Sequence, residues 1–457
     1  MTAIPLPYRS DTADLFAPLA GEPWSMWLDS GPRQHRAGRY DIVVCHPRVT
    51  LRTRGVRTEI REGGQTRWSE DDPWDLLRQC LGAAVPAAPG IPFCGGAIGY
   101  FGYDLARRIE RLPESAKDAL NLPEMALGIY DWALVSDHGR RRAWLVGCDR
   151  DARSLLARQR LQSLAQMPEP AACTGFVVHG PLRSNLSDGQ YAAGFHRIQD
   201  YIRAGDCYQI NFARRFSVAA QGDAWAAYRR LRQLNPAPFA AYLNTPDARI
   251  LCSSPERFLR LRAGAVETRP IKGTSRRSQE MREDRRLARA LAASGKDRAE
   301  NLMIVDLLRN DLGRTCALGS IRVPELFQVE SFATVHHLVS TIRGRLADGE
   351  DALSLLRGCF PGGSITGAPK IRAMQIIEEL ETERRGVYCG SIGYVGFDGD
   401  MDTNIAIRTL VHSDHEARFW AGGGIVADSR LHAESREIQI KAAALLRLVD
   451  EFRREAG

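Results

Sequence analysis

Apolar and polar positions alternate in short runs along the first 150 residues, with turn-forming residues between the runs. Residues 40–45 and 142–147 show such apolar runs most clearly, and short apolar runs bounded by turns predict a sheet with a few helices. A helical pattern follows over residues 152–167 and ends at the two prolines of residues 168–170. The chain therefore begins with a region of mostly β structure that leads into a helix and a linker.

The second part of the chain mixes longer helical patterns with strand-like runs. Helices are predicted near residues 187–204, 280–291, 294–310, 366–385 and 433–454, and strands over residues 208–216, 390–397 and 403–411. No internal repeat is present. The pattern divides the chain into an N-terminal region of residues 1–150, a helix and linker of residues 151–189, and a C-terminal region of residues 190–457.

Composition narrows the class of protein. The chain has 457 residues, of which 44% are hydrophobic and 26% charged, so disorder, a collagen-like repeat and a coiled coil are disfavoured. The net charge of +7 is spread along the chain, unlike the basic stripe of a nucleic-acid-binding protein. The 10 cysteines form no CxxC pair, and the start of the chain lacks a signal-peptide pattern. We expect a cytoplasmic protein with reduced thiols and no membrane span.

The helix predicted at 294–310 carries a carboxylate on an apolar face. Glu300 aligns with Met303, Ile304 and Leu307 at helical spacing. An unpaired buried carboxylate costs several kcal/mol, on the order of its desolvation energy. Glu300 is therefore either a functional ligand or a residue at the edge of the stripe that pairs with a nearby basic side chain.

The C-terminal helix repeats this feature. Glu437 aligns with Ile440 and Leu445, and Glu434 shares a face with Ile438 and Lys441. Two helices that each offer a carboxylate to one cavity suit Mg²⁺, which prefers oxygen ligands and keeps several waters. The alternative is a pattern of ion pairs along a solvated helix.

Three glycine-rich junctions lie in the same part of the chain. Residues 361–370 place small residues before Pro369 at a predicted helix start, where free backbone N–H groups bind anions. Residues 421–429 contain three successive glycines that let the backbone approach a ligand. Residues 390–396 predict a strand with Tyr394 beside a glycine. The nucleotide-binding motifs GxxxxGK[ST] and GxGxxG are absent, so a nucleotide phosphate is not the favoured anion.

Single residues add candidate chemistry. In the strand predicted around 401–409, Arg408 can bind a carboxylate through its planar guanidinium. Glu256 follows a strand and a proline, which is typical of a presented side chain. Lys272 lies between residues that restrict the backbone, so its amine can be positioned and desolvated, which lowers its pKa. Each of these residues can equally be an ordinary surface or strand position. The adjacent His336 and His337 point to opposite faces and do not share a metal.

Taken in order, these segments resemble the chorismate-utilising enzymes. The similarity rests on the strings GDCYQIN at 205–211, SPERF at 254–258, PIKGT at 270–274, KDRAENLMIVD at 296–306 and HLVS at 337–340, and on residues 361–370 and 421–429. It covers roughly residues 190–450. Residues 1–150 resemble the N-terminal region of anthranilate synthase component I and its relatives. The resemblance implies an α+β fold of packed, largely antiparallel sheets surrounded by helices, with both halves of the chain forming one intertwined unit.

The resemblance also implies an activity. Most branches of the family carry Ala where this chain has Lys272, whereas the branch that makes 4-amino-4-deoxychorismate for p-aminobenzoate and folate synthesis carries Lys. By resemblance, Lys272 is the nucleophile, Glu256 is the general acid and His337 lies near the ring. Mg²⁺ is held by Glu300 and Glu437, with Asp297 and Glu434 nearby. Substrate carboxylates are bound by Ser364, Tyr394, Arg408, Lys441 and the backbone of Gly422, Gly423 and Gly424.

Partners follow from the same comparison. No Gly-x-Cys-x-Gly elbow of a glutaminase occurs in the chain, so we expect ammonia from a separate glutamine amidotransferase subunit. In relatives the N-terminal half forms a tryptophan pocket, and Trp24 and Ser30 match it. Whether tryptophan binds here as a regulator, as a structural element or not at all stays open at this point.

Parts of the sequence are also compatible with three other functions. The chain could be an anthranilate, isochorismate or salicylate synthase, against which Lys272 argues. It could be a catalytically silent ligand-binding protein on the same fold, against which the intact carboxylates argue. The basic run at 276–286 could bind nucleic acid, but its interleaved acids favour a solvated segment.

Overall fold

Two large antiparallel sheets form the framework of the protein. The computed structural model describes residues 1–31, 38–165, 175–332, 335–413 and 415–453. Within those ranges the named strands divide between two sheets, and their pairings are antiparallel. The α+β class predicted from the sequence is therefore confirmed.

The first sheet joins strands from both halves of the chain. Its strands, in spatial order, are β1 (Thr2–Leu6), β10 (Arg142–Gly147), β9 (Trp132–Asp137), β3 (Tyr40–Val44), β2 (Met26–Asp29), β13 (Phe239–Asn244), β14 (Arg249–Ser254), β23 (Thr409–Ser413), β24 (Glu416–Ile425), β12 (Gln209–Gly222) and β11 (Phe176–Ser184), and the short β20 (Gly367–Ala368) also pairs with β12.

The second sheet also joins strands from both halves of the chain. In spatial order it contains β17 (Ile271–Arg276), β19 (Val335–Arg345), β16 (Ala265–Thr268), β15 (Arg257–Arg262), β22 (Met401–Asn404), β21 (Ser391–Gly396), β7 (Gly96–Phe101), β8 (Met125–Tyr130), β4 (Val49–Arg54), β5 (Arg57–Glu62) and β6 (Gln65–Ser69), with β18 (Arg322–Ser331) also paired to β19. The two halves are therefore intertwined, as predicted. Each sheet contains strands from before residue 151 and from after residue 189. The division of the chain at residues 151–189 therefore stays a prediction about regions of the sequence.

Helices cover the sheets. They are α1 (Ala13–Phe16), α2 (Pro73–Leu81), α3 (Ala152–Leu164), α4 (Asp188–Arg203), α5 (Ala224–Leu234), α6 (Met281–Ala293), α7 (Gly295–Leu312), α8 (Ala352–Cys359), α9 (Lys370–Leu380) and α10 (Leu431–Glu451), with 3₁₀ turns at Ala17–Leu19, Tyr103–Arg108 and Gly363–Ile365. The predicted helices near 187–204, 280–291, 294–310 and 433–454 are confirmed as α4, α6, α7 and α10. The prolines of residues 168–170 lie outside the described residues.

Apolar side chains from both halves share two buried cores. One core contains Met26 and Leu127 together with Ile392 and Val411. The other is rich in aromatic rings, and the centroids of Trp27 and Trp225 lie 5.7 Å apart within it. Because each core needs residues from both ends of the chain, burial of apolar area couples the two halves.

Two predicted elements are wrong in their extent. Residues 403–411 do not form one strand: β22 ends at Asn404 in the second sheet, and β23 begins at Thr409 in the first. Between them Arg408 has φ 53°, a left-handed conformation that interrupts a strand. The helix predicted at 366–385 is limited to Lys370–Leu380, because β20 pairs with β12 and Pro369 is the residue before the helix.

Candidate active site

Lys272 lies on β17, the terminal strand of the second sheet, and its amine points toward the 3₁₀ turn at Gly363–Ile365. The Nζ atom donates a hydrogen bond to the Ser364 carbonyl oxygen at 3.4 Å. Burial lowers the pKa of Lys272, and the positive charge of Lys441 lowers it further, while Glu300 and Glu256 act in the opposite direction. A depressed pKa leaves more of the amine neutral, which is the nucleophilic form.

Glu256 lies between β14 and β15 and faces the same site. Its side chain is buried, with 6% of the residue exposed, and burial raises its pKa to about 7. The Ser364 hydroxyl, the charge of Lys272 and the Ile271 backbone N–H partly offset this rise. A carboxyl group with a pKa near neutrality can donate a proton at physiological pH, so Glu256 has the protonation behaviour of a general acid.

Helices α7 and α10 bring carboxylates next to these two residues. The Glu300 carboxylate lies 3.7 Å from the Lys296 amine, and the Glu434 carboxylate lies 3.9 Å from the same amine. Burial raises the pKa of both glutamates. Lys296 is thus shared between carboxylates from two helices, and the register predicted for α7 places Glu300 on the site-facing side.

The α10 register differs in detail from the sequence prediction. Glu434 is buried in line with Ile438, whereas Ile440, predicted to share an apolar face with Glu437, is 63% exposed. Glu437 forms a 2.7 Å ion pair with Lys441. Burial alone would raise the pKa of Glu437, but Lys441 outweighs it and the pKa is lowered. Glu437 is therefore held ionised at the edge of the stripe.

Two glycines allow this arrangement. A Cβ on Gly423 of β24 would lie 3.0 Å from the Glu434 Oε2 atom, so the bare backbone passes close to the carboxylates. Gly273, directly after Lys272, has φ +80°, and a Cβ there would lie 2.9 Å from the Asp297 side chain. Any larger residue at either position would push the carboxylates away from Lys272.

The carboxylates suit a cation but are not arranged as a preformed metal centre. Across the described ranges, no three potential ligand side chains are gathered closely enough to hold a metal ion. The lysines of the site separate them instead. However, the Glu434 Oε2 atom is buried and lacks a hydrogen-bond partner among the described residues. Such an atom is costly unless a cation or water satisfies it, so the donor set fits a hard divalent ion.

Lys441 and the glycine run of β24 meet at the same place. The Lys441 amine donates to the Gly422 carbonyl oxygen at 3.0 Å, and a Cβ on Gly424 would lie 3.0 Å from the side-chain carbon of Gln209. The predicted substrate-binding residues Ser364, Lys441 and Gly422 to Gly424 are therefore brought together around Lys272.

Arg408 lies in the segment that connects β22 of the second sheet to β23 of the first. Burial lowers its pKa, and the adjacent Tyr388 opposes the change. The Arg408 guanidinium forms no ion pair with any residue in the described ranges, which leaves it free to bind an anion. His337 lies on β19, opposite Thr274 in register, and its Nδ1 atom is 2.9 Å from the Thr274 hydroxyl.

Tyr394 is the predicted site residue that the structure places elsewhere. It lines a separate cavity of about 470 Å³ together with Ser30, Phe239, Arg257 and Asp402. That Tyr394 binds substrate therefore stays a prediction from the sequence. Trp24 also departs from expectation, because it lines a different cavity from Ser30.

Sequence reasoning missed three residues of the site. Tyr388 lies beside Arg408 and stacks on Trp420 with ring centroids 5.9 Å apart. Gln209 is fully buried, and both of its amide heteroatoms lack partners among the described residues. Arg385 donates to the Ile365 and Asn211 carbonyl oxygens at 2.9 and 2.7 Å. A polar residue at the start of an apolar strand was the one signal available for Gln209.

The fold and site match a known family. The model of the family described as chorismate binding enzyme covers residues 25–447. This chain belongs to that family.

Individual relatives divide between two activities. The chain is 49% identical over 447 residues to aminodeoxychorismate synthase component 1 of Klebsiella aerogenes, covering 97% of this chain and 98% of that protein. It is 44% identical over 452 residues to anthranilate synthase component 1 of Streptomyces coelicolor, covering 95% and 85%. The crystal structure of anthranilate synthase component I from Streptococcus pneumoniae superposes with a TM-score of 0.79 at 32% identity, covering 89% and 92% of the chains.

No helix in the described part of the chain combines the length and apolarity needed to cross a membrane. The described cysteines, which exclude Cys173, are free thiols.

Proposed function

We propose that this chain converts chorismate and ammonia to 4-amino-4-deoxychorismate, the reaction of the p-aminobenzoate branch of folate synthesis. The observation that carries the proposal is the half-buried Lys272, whose amine has a lowered pKa, next to a Glu256 carboxyl whose pKa is about 7. Relatives named for amination at C4 and relatives named for anthranilate synthesis are both similar to this chain, so the distinction rests on Lys272.

In this reaction the neutral Lys272 amine forms a bond to C2 of the chorismate ring. The ring double bond shifts, the C4–O bond breaks, and Glu256 transfers its proton to the departing oxygen, which leaves as water. Ammonia then forms a bond to C4, the double bond shifts back, and the C2–Nζ bond breaks to release the neutral Lys272 amine. The ammonium group formed at C4 returns a proton to the Glu256 carboxylate. Protonation of the leaving oxygen matters because hydroxide is a poor leaving group.

The charged groups around Lys272 supply binding. Glu300 and Glu437 would hold Mg²⁺, with Asp297 and Glu434 beside it, and the ion would neutralise the ring carboxylate when bound. Arg408 and Lys441 bind substrate carboxylates as cations. Ser364 and the N–H groups of Gly422, Gly423 and Gly424 add hydrogen bonds, and His337 lies near the ring.

Ammonia comes from a separate glutamine amidotransferase subunit, because the chain has no glutaminase elbow. The unpartnered amide of Gln209 supports an ammonia position beside Gly424, since its oxygen can accept an N–H hydrogen bond and its nitrogen can donate to a leaving group. We infer a cytoplasmic location from the free thiols.

The cavity of about 470 Å³ around Ser30 and Tyr394 is a second ligand site of suitable size for an amino acid. Its arginines and carboxylates are paired with one another and give it a polar lining, and Phe239 offers an apolar surface. We infer that tryptophan is a candidate ligand there, and isothermal titration with tryptophan against Ser30→Trp, which fills the cavity, tests the inference.

The decisive experiment identifies the product. The purified chain is incubated with chorismate, Mg²⁺ and ammonium, and products are analysed by mass spectrometry. We expect 4-amino-4-deoxychorismate from the wild type and a loss of about 10³-fold or more from Lys272→Ala, because the covalent step is removed. Lys117→Ala, which removes an exposed lysine side chain, is the control. Anthranilate with pyruvate, or isochorismate, would contradict the proposal.

A further inference from the structure

The 3₁₀ turn at Gly363–Ile365 contacts both of the side chains that react in the proposed mechanism. The Ser364 carbonyl oxygen accepts a hydrogen bond from the Lys272 amine at 3.4 Å. Burial raises the pKa of the Glu256 carboxyl, and a hydrogen bond to the Ser364 side chain opposes that rise. A small displacement of this turn would therefore disturb the nucleophile and the acid together.

The hydrogen bonds within the turn are long. The Ile365 N–H donates to the Gly362 carbonyl oxygen at 3.4 Å. The Thr366 N–H donates to the Gly363 carbonyl oxygen at 3.4 Å, and the Thr366 hydroxyl adds a bond of 3.1 Å to Gly362. Peptide hydrogen bonds are usually about 2.9–3.0 Å long, and 3₁₀ geometry is poor for such bonds. The turn therefore depends on partners outside itself for a fixed position.

Arg385 and Asn211 supply those partners. The Nη1 atom of Arg385 donates to the Ile365 carbonyl oxygen at 2.9 Å, and its Nη2 atom donates to the Asn211 carbonyl oxygen at 2.7 Å. The Asn211 side chain donates to the same Ile365 oxygen at 2.9 Å. The Asn211 backbone N–H donates to the Thr366 carbonyl oxygen at 2.8 Å. These shorter bonds fasten the turn to β12, and the guanidinium of Arg385 binds both segments.

Arg385 is itself held in place. Its side chain is 1% exposed. The Glu381 carboxylate accepts hydrogen bonds from its Nε atom at 2.9 Å and its Nη2 atom at 2.7 Å, and also accepts the Ala213 N–H of β12 at 2.9 Å. Burial alone would lower the pKa of Arg385, but the charge of Glu381 outweighs burial and the pKa is raised. The guanidinium therefore stays charged and presents its donors at fixed places.

We propose that Arg385 is a positioning residue for the amination reaction: it fixes the Gly363–Ile365 turn against the two side chains that react. The inference rests on the proposed function, because that function gives Glu256 and Lys272 their roles. Arg385 acts through two backbone carbonyl oxygens and not through contact with the substrate. A buried ion pair adds little net stability, because desolvation of both charges offsets their attraction. The rigid fork of a guanidinium is, in contrast, well suited to aligning two backbone segments.

Several elements contribute groups that act on the Glu256 carboxyl. They are Lys272 of β17, Lys441 of α10, Cys389 before β21, the Ser364 side chain and the Ile271 N–H. If the turn is displaced, the hydrogen bond to Ser364 is lost, and the pKa of Glu256 rises further above its ordinary value. Because only the protonated acid donates, the fall in rate at alkaline pH should then begin at a higher pH. Loss of stability alone would not move this alkaline limb.

Arg385→Lys tests the guanidinium. Lysine keeps a charge next to Glu381, but its single ammonium group does not reproduce the planar array of donors. Arg232→Lys is the matched control, because Arg232 on α5 also pairs with a buried carboxylate, that of Asp29, at 2.6 Å and is 16% exposed. Asp29 lines the separate cavity around Tyr394. The double variant Arg385→Gln/Glu381→Gln removes both charges, so it leaves no buried charge unpaired if Arg385→Lys does not fold.

Each protein is assayed with chorismate, Mg²⁺ and ammonium chloride between about pH 6 and pH 9, and its stability is measured by urea denaturation. We expect both Arg385 variants to lose about 10–100-fold in kcat, because a small misplacement of reacting groups is costly. Their alkaline limb should move up by about one pH unit. Arg232→Lys should keep kcat within about twofold and its limb in place, even at a comparable loss of stability.

The other outcomes contradict the inference. An unchanged alkaline limb in the Arg385 variants, at any kcat, would make Arg385 a structural residue only, as would failure of both variants to fold. An equal fall in kcat and an equal shift of the limb in Arg232→Lys would attribute both effects to a general loosening of the fold. No amination by the wild type with ammonium would overturn the proposed function together with the inference, whereas the preceding outcomes overturn the inference alone.

Discussion

Glu256 and Arg257 are consecutive in the chain but belong to two regions that differ in how completely their charged side chains are paired. Arg257 faces the cavity around Tyr394, where its guanidinium is hydrogen-bonded to Asp402 at 2.9 and 3.0 Å and contacts Glu267 at 3.3 Å. Glu256 faces the Lys272 site, where burial raises its pKa to about 7. In the cavity the charged side chains form ion pairs, whereas in the Lys272 site some charged groups lack a full set of partners among the described residues.

This difference in pairing indicates that the charges of the cavity stabilise the fold, whereas those of the Lys272 site are available for chemistry. In the cavity, Arg343 also pairs with Glu267, at 3.0 Å, so carboxylates and guanidinium groups satisfy one another. In the Lys272 site, Glu434 keeps a buried oxygen without a partner among the described residues. Groups whose charged forms are poorly compensated have shifted pKa values and are ready to exchange protons or bind ions. This contrast leads to five predictions.

The largest effect is expected from removing the Glu256 proton donor. Glu256→Gln should lower the amination rate by about 10²–10⁴-fold, the usual contribution of a general acid. In the wild type, the rate should fall as pH rises above about 7, because only the protonated form donates. This alkaline limb should disappear from the residual activity of the variant. A rate profile that keeps the limb would assign it to another group.

Glu256→Gln should lower the amination rate but raise the stability of the fold at alkaline pH. The folded-state pKa of Glu256 lies above its ordinary value of 4.5, so the native protein favours the neutral form and loses stability as pH rises through about 7. Glu256→Gln, which is neutral at every pH, should therefore melt at a higher temperature than wild type at pH 8 but not at pH 5. Differential scanning calorimetry at both pH values measures this.

Breaking the paired region should cost stability. Arg257→Met leaves Asp402 and Glu267 without their common partner, and loss of one member of a buried ion pair costs about 3–5 kcal/mol. Arg57→Met removes an arginine that is 66% exposed and paired at the surface with Glu70, so about 0–1 kcal/mol is expected. Urea denaturation compares the two, and equal losses would show that the cavity network is not structural.

A smaller effect should separate the two tyrosines. Tyr388→Phe removes a hydroxyl beside Arg408 and should raise the KM for chorismate by about tenfold, the equivalent of one hydrogen bond. Tyr394→Phe, in the cavity, should leave KM and kcat within about twofold, since no substrate contact is lost. Steady-state kinetics with ammonium decides, and the reverse pattern would support Tyr394 as a substrate-binding residue.

The smallest effect concerns the cation. Lys296 is 51% exposed between Glu300 and Glu434, so solvent screens its charge. Lys296→Met should tighten Mg²⁺ binding by roughly threefold, as one screened repulsion is removed, whereas Lys117→Met should not. Isothermal titration with MgCl₂ alone measures this. Weaker Mg²⁺ binding in Lys296→Met would show that Lys296 orders the carboxylates.

Helical spacing in the sequence was enough to predict which faces of α7 and α10 carry the carboxylates. The spacing of Glu300 with Met303 and Leu307 identified the site-facing side of α7, because an isolated helix has one fixed angular relation between residues. For α10 the register left two choices, and the exposed Ile440 shows that packing selected the stripe through Glu434. Local periodicity restricts the faces of a helix, whereas burial depends on what packs against it.

Strand predictions failed where the chain changes sheets. The run from 403 to 411 has the composition of one strand, but Ile405 donates its N–H to the Glu256 carbonyl oxygen at 3.0 Å and Arg408 turns into the first sheet. That hydrogen bond joins residues far apart in the chain, so no local pattern contains it. The same crossing positions Tyr388 beside Arg408.

The sequence by itself determined the residue types and their local geometry: a lysine between backbone-restricting residues, carboxylates at helical spacing, and glycine runs that permit close approach. These follow from short-range sterics and periodicity. Only the tertiary structure decided which side of each sheet a strand residue faces, and so assigned Tyr394 to the cavity and Gln209 to the site. It also set the pKa values, because burial and the approach of distant charges exist only once both halves of the chain have packed together.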